Sequence, residues 1–221
     1  MKILNINSSL DSKSGGGTTE RTMQLSLNLA AEKNINVSIL TLDIGITDTV
    51  INKLNQINLI KIPCINKRFM VPSIFNKKIP DSIKKADVIH LMSHWTVINL
   101  ISYYWIKKYN KPYVVCPAGA LPIYGRSKTL KKIYNFCGGR ALIKNANANI
   151  AITEDEIENF FDYKVNSKKI TVIPNGIDSE AFKYKNNQYI RDKFHLKNNP
   201  FILFVGRLNF IKGPDLLLKA F

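Results

Sequence analysis

Short runs rich in Ile and Val recur along this chain, separated by longer segments with helical periodicity. Strands are read at residues 2–6, Asn36–Leu42, Asn58–Ile62, Asp87–Leu91, Tyr113–Val115, Asn147–Ile152, Lys169–Ile173 and Phe201–Val205. Helices are read from Thr18 or Thr19 to about Lys33, over Thr96–Tyr109, over 128–143, and from Gly213-Pro214-Asp215 onward. In the first helix Met23, Leu27, Ala30 and Ala31 form the apolar face, and Thr18 or Thr19 is the expected cap. Thr153 and Glu156 have the spacing of a capping box. Residues 63–80, with Pro63, Pro72 and Pro80, read as irregular. Strands alternating with helices pack as a mainly parallel sheet with helices on its faces, an α/β architecture.

Composition narrows the classes. Of 221 residues, 45% are hydrophobic and 22% charged, which excludes wholesale disorder. Lys and Arg number 32 against 16 Asp and Glu, a net charge of +16. An AT-rich coding bias explains part of this excess. It does not explain why Glu, whose codons are equally available, appears only 6 times. An anionic partner accounts for the remainder. Three cysteines without a CxxC pair indicate neither a zinc knuckle nor a disulfide framework. Asn5 and Asn7 interrupt the N-terminus too early for a signal-peptide core. Val88–Ile106 is uncharged, but His90, Ser93, His94, Thr96, Asn99 and Ser102 make it a strand, a loop and a buried helix rather than a membrane span.

The helix beginning near Pro214 has only a few residues before Phe221. One strand and half a helix cannot bury a core. The expected organisation is a domain over 1–178, a linker over 179–199, and the start of a truncated second domain over 200–221.

Three patterns carry chemistry. Gly15-Gly16-Gly17 stands between a strand and a helix start, where backbone N–H groups and the helix dipole favour an anion. GxGxxG would need Gly at 20, where Glu20 stands, and no GxxxxGK[ST] is present. A nicotinamide enzyme is therefore a weak candidate, and a P-loop is not supported. His90 and His94 fall on a strand end and a loop, too far apart to share a metal. His94, beside Trp95 at a strand's C-terminal end, is a candidate site-lining residue. Residues 88–153 hold no Asp or Glu but nine bases, with Lys128, Lys131 and Lys132 spaced to share a helix face. Arg207 and Lys212, near the last helix start, suit a diphosphate. No base-reading motif points to nucleic acid.

Taken in order, the glycine loop, Ala86-Asp-Val-Ile-His90, Ile173-Pro-Asn-Gly-Ile-Asp178 and Phe204-Val-Gly-Arg-Leu with Lys212-Gly213 resemble the retaining GT-B glycosyltransferases of group 1, family 4. The resemblance implies a Rossmann-like acceptor-side domain facing a second Rossmann-like domain that holds a nucleotide-sugar. It implies donor binding by Gly16, Gly17, Arg207 and Lys212. It implies no metal, and no cofactor beyond the nucleotide-sugar, which is a substrate. Many members carry a His after the strand matching Tyr113–Val115. Here the loop is Cys116-Pro-Ala-Gly119, so no catalytic residue is assigned. The family's paired glutamates are absent from these residues.

The expectation is a hexosyltransferase acting on a glycan or lipid-linked acceptor in cell-surface polysaccharide synthesis, cytoplasmic or peripheral on the inner membrane face. As a fragment, the chain is expected to be inactive alone. His94, Gly119, Arg126, Lys128, Lys131 and Lys132 are the expected acceptor- or membrane-facing residues. The alternative is a non-catalytic Rossmann-like module binding an anionic membrane surface or a partner subunit.

Overall fold

The computed structural model describes residues 1–11, 15–125, 127–177, 179–183, 188–197, 199–206, 208 and 212–221. The chain separates into two compact units, Met1–Gly176 and Ile177–Phe221.

In the first unit the chain runs through β1 (Lys2–Ile6), α1 (Gly16–Ala31), β2 (Asn36–Leu42), α2 (Asp48–Lys53), β3 (Asn58–Ile62), β4 (Cys64–Asn66), β5 (Val71–Pro72) and α3 (Lys78–Lys85). It continues through β6 (Val88–Met92), α4 (Val97–Lys108), β7 (Tyr113–Cys116), α5 (Lys128–Tyr134), a π-helical turn (Asn135–Gly139), α6 (Arg140–Lys144), β8 (Ala148–Ala151), α7 (Glu156–Asp162) and β9 (Ile170–Val172). Seven strands form one sheet in the order β3-β2-β1-β6-β7-β8-β9, and every pairing is parallel. Both faces of such a sheet must be covered. On one side Leu4, Ile6, Leu40 and Leu42 join Ile79, Ile83, Ile98, Leu142 and Phe160 from α3, α4, α6 and α7. On the other, Val37 and Ile39 pack with Met23, Val50 and Leu54 around α1 and α2. The expected α/β parallel architecture is the one observed.

Several local expectations are corrected. Helix α1 starts at Gly16, and neither threonine caps it. Thr18 Oγ1 donates to Gly15 O, and Thr19 Oγ1 donates to Ser9 O. Its buried residues are Thr19, Thr22, Met23 and Ser26. Leu27 and Ala30 are only partly covered, and Ala31 is exposed. The polar stripe suits β1, which presents Asn5 and Asn7: Asn5 Nδ2 donates to Ser26 Oγ at 2.7 Å, and Asn7 Nδ2 to Thr22 Oγ1 at 2.9 Å. Residues 63–80 are not irregular throughout. They hold the antiparallel β4–β5 hairpin and the start of α3.

The 128–143 helix is interrupted by the π-helical turn, where Gly138 takes φ 127°. Glu156 does not close a box on Thr153. It reaches further back, accepting from the Ile152 N–H at 2.8 Å. Within the second unit, α8 (Gln188–Lys193) and α9 (Pro214–Ala220) are helical, and α9 opens on Gly213 at φ 64° with Pro214 in the first turn. Phe201–Val205 is not a strand. No described neighbour in this unit supplies a ladder for it, and a strand is defined by its ladder.

Candidate functional site

Strand order reverses between β1 and β6, because β1 is followed outward by β2 on one side while β6 begins the run on the other. Loops leaving the carboxyl ends of these strands diverge, and in open α/β sheets ligands bind in the crevice so formed. The glycine loop after β1, the Ser93–Thr96 loop after β6 and the Pro117–Ala120 loop after β7 all lie on that edge.

The three glycines answer to different constraints. A Cβ on Gly15 would fall 1.9 Å from Thr19 Oγ1 and 2.6 Å from Asp11 O, so close packing requires glycine. Gly16 takes φ 58°, which L side chains rarely adopt. Gly17 has nothing within 4 Å of a built Cβ and an ordinary φ, so nothing in the fold demands glycine there. It leaves open space at the N-terminus of a 16-residue helix that has no side-chain cap and no acid in its first turn.

One turn into α1, Arg21 spans the edge. Its Nη1 donates to Pro174 O at 3.2 Å and to Asn175 Oδ1 at 2.7 Å, and its Nη2 donates to Ile173 O at 3.2 Å. Arg21 thereby holds the segment leaving β9 against the start of α1. Its charge reaches three buried groups. His90, expected at a strand end, lies in the middle of β6 and donates from Nδ1 to Asn5 Oδ1 at 3.2 Å. Asn5 Nδ2 is engaged with Ser26 Oγ, so its oxygen faces the ring and Nδ1 carries the proton. His90 Nε2 is left buried with no partner. Burial, with the Arg21 charge second, lowers the His90 pKa to about 4. Burial raises the Cys116 thiol, opposed by Arg21. Burial raises Glu156 as well, opposed by the Ile152 and Gly119 N–H groups and by Arg21.

Glu156 therefore ties the β8 end to the β7 loop. That loop carries two left-handed residues, Ala118 at φ 52° and Gly119 at φ 77°, and a Cβ on Gly119 would stand 3.3 Å from Glu156 Oε1. Gly119 sits at the crevice edge in a strained, tightly held loop.

His94 is placed differently from the expectation. Its side chain is fully buried, with ring centroids at 4.3 Å from Trp95, 5.1 Å from Tyr134 and 5.4 Å from Tyr163. His94 Nε2 meets Asn135 Oδ1 at 3.1 Å, Asn135 Nδ2 donates to Tyr163 Oη, and Tyr163 Oη donates to Leu121 O. Tyr134 Oη donates to His94 O, and Trp95 Nε1 to Ala120 O. His94 is thus an enclosed post that fixes the loop after β6, the π-helical turn and the β7 loop. It presents nothing to a membrane. Burial lowers its pKa to about 4, only partly offset by Asn135.

The three lysines do not share one free face. Lys128 and Lys132 are exposed. Lys131 turns inward: its Nζ donates to Tyr124 O at 3.0 Å and sits 5.4 Å from the Trp95 and Tyr124 ring centroids. Lys212 belongs to the second unit. Arg126 and Arg207 lie outside the described residues.

Arg21, His90 and Glu156 were missed as members of the site. The available signal was Asn5 and Asn7, polar residues in a strand whose neighbours are apolar, which need partners once buried. A hollow of about 620 Å³ lies elsewhere, at the opposite ends of β1–β3 against α3, and is lined by Lys2, Lys61, Lys78, Asp81 and Lys85. Among the described residues no group of three or more His, Cys, Asp or Glu could hold a metal, and no helix is long and apolar enough to cross a membrane.

Comparison with known proteins adds the following. Residues 15–181 match the model of Glycosyltransferase Family 4. The D-inositol 3-phosphate glycosyltransferase of Frankia alni is 28% identical over 154 residues, which are 62% of this chain and 37% of that protein. The enzyme of the same name from Mycobacterium marinum is 23% identical over 154 residues, 62% of this chain and 32% of that protein. The crystal structure of Anabaena Alr3699/HepE in complex with UDP and glucose superposes with a TM-score of 0.77 at 17% identity, covering 100% of this chain and 57% of that one. UDP-GlcNAc 2-epimerase from Neisseria meningitidis, bound to UDP-GlcNAc, gives a TM-score of 0.55 at 17% identity over 79% of this chain and 47% of that one. The match thus spans about a third of the curated relatives' length and 47–57% of the structural ones.

Proposed function

The chain belongs to glycosyltransferase family 4, and we propose that it forms the acceptor-side part of a retaining enzyme that moves a hexose from a nucleotide-sugar to a glycan or lipid-linked acceptor. The observation that carries this reading is the open, uncapped start of α1 at the reversal of strand order, where Gly17 keeps space that the fold itself does not need. Backbone N–H groups and the helix dipole at that point suit the phosphates of a nucleoside diphosphate. As the glycosidic bond breaks, negative charge grows on the departing diphosphate. Fixed N–H donors from Gly16 and Gly17 would stabilise that charge; Arg207 and Lys212 are proposed, by the resemblance alone, as diphosphate-binding cations of the second unit. The structural neighbours named above hold UDP, glucose or UDP-GlcNAc, which supports a uridine nucleotide as donor. The Pro117–Ala120 loop, fixed by Glu156 and the His94 post, is the proposed acceptor side.

The role assigned is cell-surface polysaccharide synthesis on the inner face of the membrane. The acid-free stretch of sequence that contains α4 and α5 supports the membrane part and would equally serve a non-catalytic module.

Titration of UDP-glucose, UDP-GlcNAc and NADH into the chain tests the reading. Saturable binding of a UDP-sugar, weakened about tenfold by Gly17→Val or Arg207→Ala at unchanged Tm, is expected; ten times weaker corresponds to about 1.4 kcal/mol. Saturable binding of none of them, or of NADH alone, would overturn it.

A further inference from the structure

Two stretches of the chain contain no acid at all, residues 49–80 and residues 88–153. Each one projects large apolar side chains into solvent. Helix α5 has no buried residue. Leu130 and Ile133 are exposed on it, and Phe136, in the π-helical turn, is 93% exposed. Lys128 and Lys132 stand exposed beside them. Among the described residues the ion pairs are Lys53–Glu20 and Lys183–Glu180, so neither of these lysines has an acidic partner. The 49–80 stretch supplies the β4–β5 hairpin and the turn after it, where Ile65, Phe69, Ile74 and Phe75 are exposed among Lys67, Arg68 and Lys77.

Both projections are mounted on α4. Strand β5 packs against α4, and a Cβ on Gly138 would meet Leu100 of α4 at 3.7 Å. Helix α4 itself exposes Tyr104, Lys107 and Lys108. Monomeric soluble proteins seldom leave clusters of large apolar side chains bare, and such patches mark interaction surfaces.

We propose that this region docks on an anionic lipid bilayer, with Ile133 and Phe136 entering the headgroup–acyl boundary and Lys128 and Lys132 resting on the headgroups, while the hairpin makes a second contact. Helices that lie in a membrane interface pair lysines with bulky apolar residues in this manner. A leaflet rich in anionic lipid attracts such bases, whereas acids on the same surface would oppose it. Helix α5 begins nine residues after Gly119, so docking would bring the β7 loop close to a lipid-linked acceptor. This deepens the membrane part of the proposed function and rests on it.

Co-sedimentation of the chain with vesicles decides the matter. Vesicles of phosphatidylcholine with phosphatidylglycerol should recruit the chain, and phosphatidylcholine alone should not. Each base removed should weaken binding about fivefold, so Lys128→Ala with Lys132→Ala should weaken it roughly 25-fold. Ile133→Ser with Phe136→Ser should weaken it about tenfold or more. All four residues are exposed, so the variants should keep the parent Tm. As a second readout, a Phe136→Trp variant should gain emission that brominated acyl chains quench. Absence of recruitment to the anionic vesicles would overturn the proposal, as a face built for an acidic protein would produce. Recruitment indifferent to both double variants would overturn it as well, and so would emission from the Phe136→Trp variant that brominated lipid leaves unquenched. The assay contains no nucleotide-sugar, so its failure leaves the transferase reading standing, and loss of sugar binding leaves the docking result standing.

Discussion

Acid should unfold the first unit through two histidines rather than through carboxylates. His90 and His94 are both buried neutral, with pKa values lowered from 6.5 to about 4. A folded-state pKa below the unfolded one means that the unfolded chain takes up the proton first. Their contribution is complete above pH 6.5, falls as pH drops from 6.5 toward 4, and is flat below. At pH 5 each imidazole costs about 2 kcal/mol by linkage, so the pair costs about 4 kcal/mol. That is a large part of a typical stability of roughly 5–15 kcal/mol. The groups around them relieve it only in part: the Arg21 charge adds to the burial of His90, while Asn135 partly offsets the burial of His94 among Trp95, Tyr134 and Tyr163. Glu156 works in the opposite sense, because its raised pKa makes the folded state hold its proton more tightly as pH falls.

Urea unfolding followed by the emission of Trp95 and Trp105 tests this, since both tryptophans lie in the first unit. With a slope of about 2 kcal/mol per molar, the midpoint should fall by about 2 M between pH 7.5 and pH 5. His94→Gln should lower the midpoint at pH 7.5 and remove about half of the fall. Ring-proton NMR should show neither His90 nor His94 titrating between pH 8 and pH 5. A midpoint that moves by less than about 0.5 M over the same range would refute the reasoning.

Phe160 is fully buried and its neighbour Phe161 is 49% exposed. Phe160→Ala should therefore cost about 3–5 kcal/mol, or roughly 10 °C in Tm, while Phe161→Ala should cost about 1 kcal/mol or less by calorimetry. Arg21→Ala removes three hydrogen bonds to the segment leaving β9. It should lower stability by about 1–3 kcal/mol and speed exchange of the Ile173 amide, which donates to Ala151 O, at least about tenfold, and unchanged exchange there would show that another contact holds the segment.

Strands of the main sheet were legible to within a residue or two. Asn36–Leu42 and Asn58–Ile62 match β2 and β3 because β-branched runs bounded by polar loops leave little choice. Short elements were not legible. Helix α3 contains Pro80 in its first turn, where proline is tolerated, and its few residues show little periodicity. The face of α1 was misread because hydroxyls, not methyls, are buried there; Thr22 and Ser26 return bonds to the carbonyls one turn back and to Asn7 and Asn5.

At the site, the glycine loop and the β7 loop were readable from their glycines and from their places after strands. Glu156 was read only as a cap for Thr153, without its tie to the Gly119 N–H on another loop, and Arg21 was not readable because it acts across residues far apart in the chain. Arg21 meets partners 152 to 154 positions away. His94 was read from its neighbours in sequence, whereas its surroundings come from the π-helical turn and the end of α7.

The strand order also governs how the chain is made. Strand β1 is an interior strand, yet of its two neighbours β2 follows closely while β6 lies 85 residues further on, as Asn5 and His90 show. At about 5–20 residues per second, a ribosome needs roughly 4–17 s to deliver that second neighbour. Throughout the interval Leu4 and Ile6 belong to a sheet edge that is not yet closed. The nascent chain up to Val88 is a natural client for a holding chaperone, and slow translation before that point would prolong its exposure.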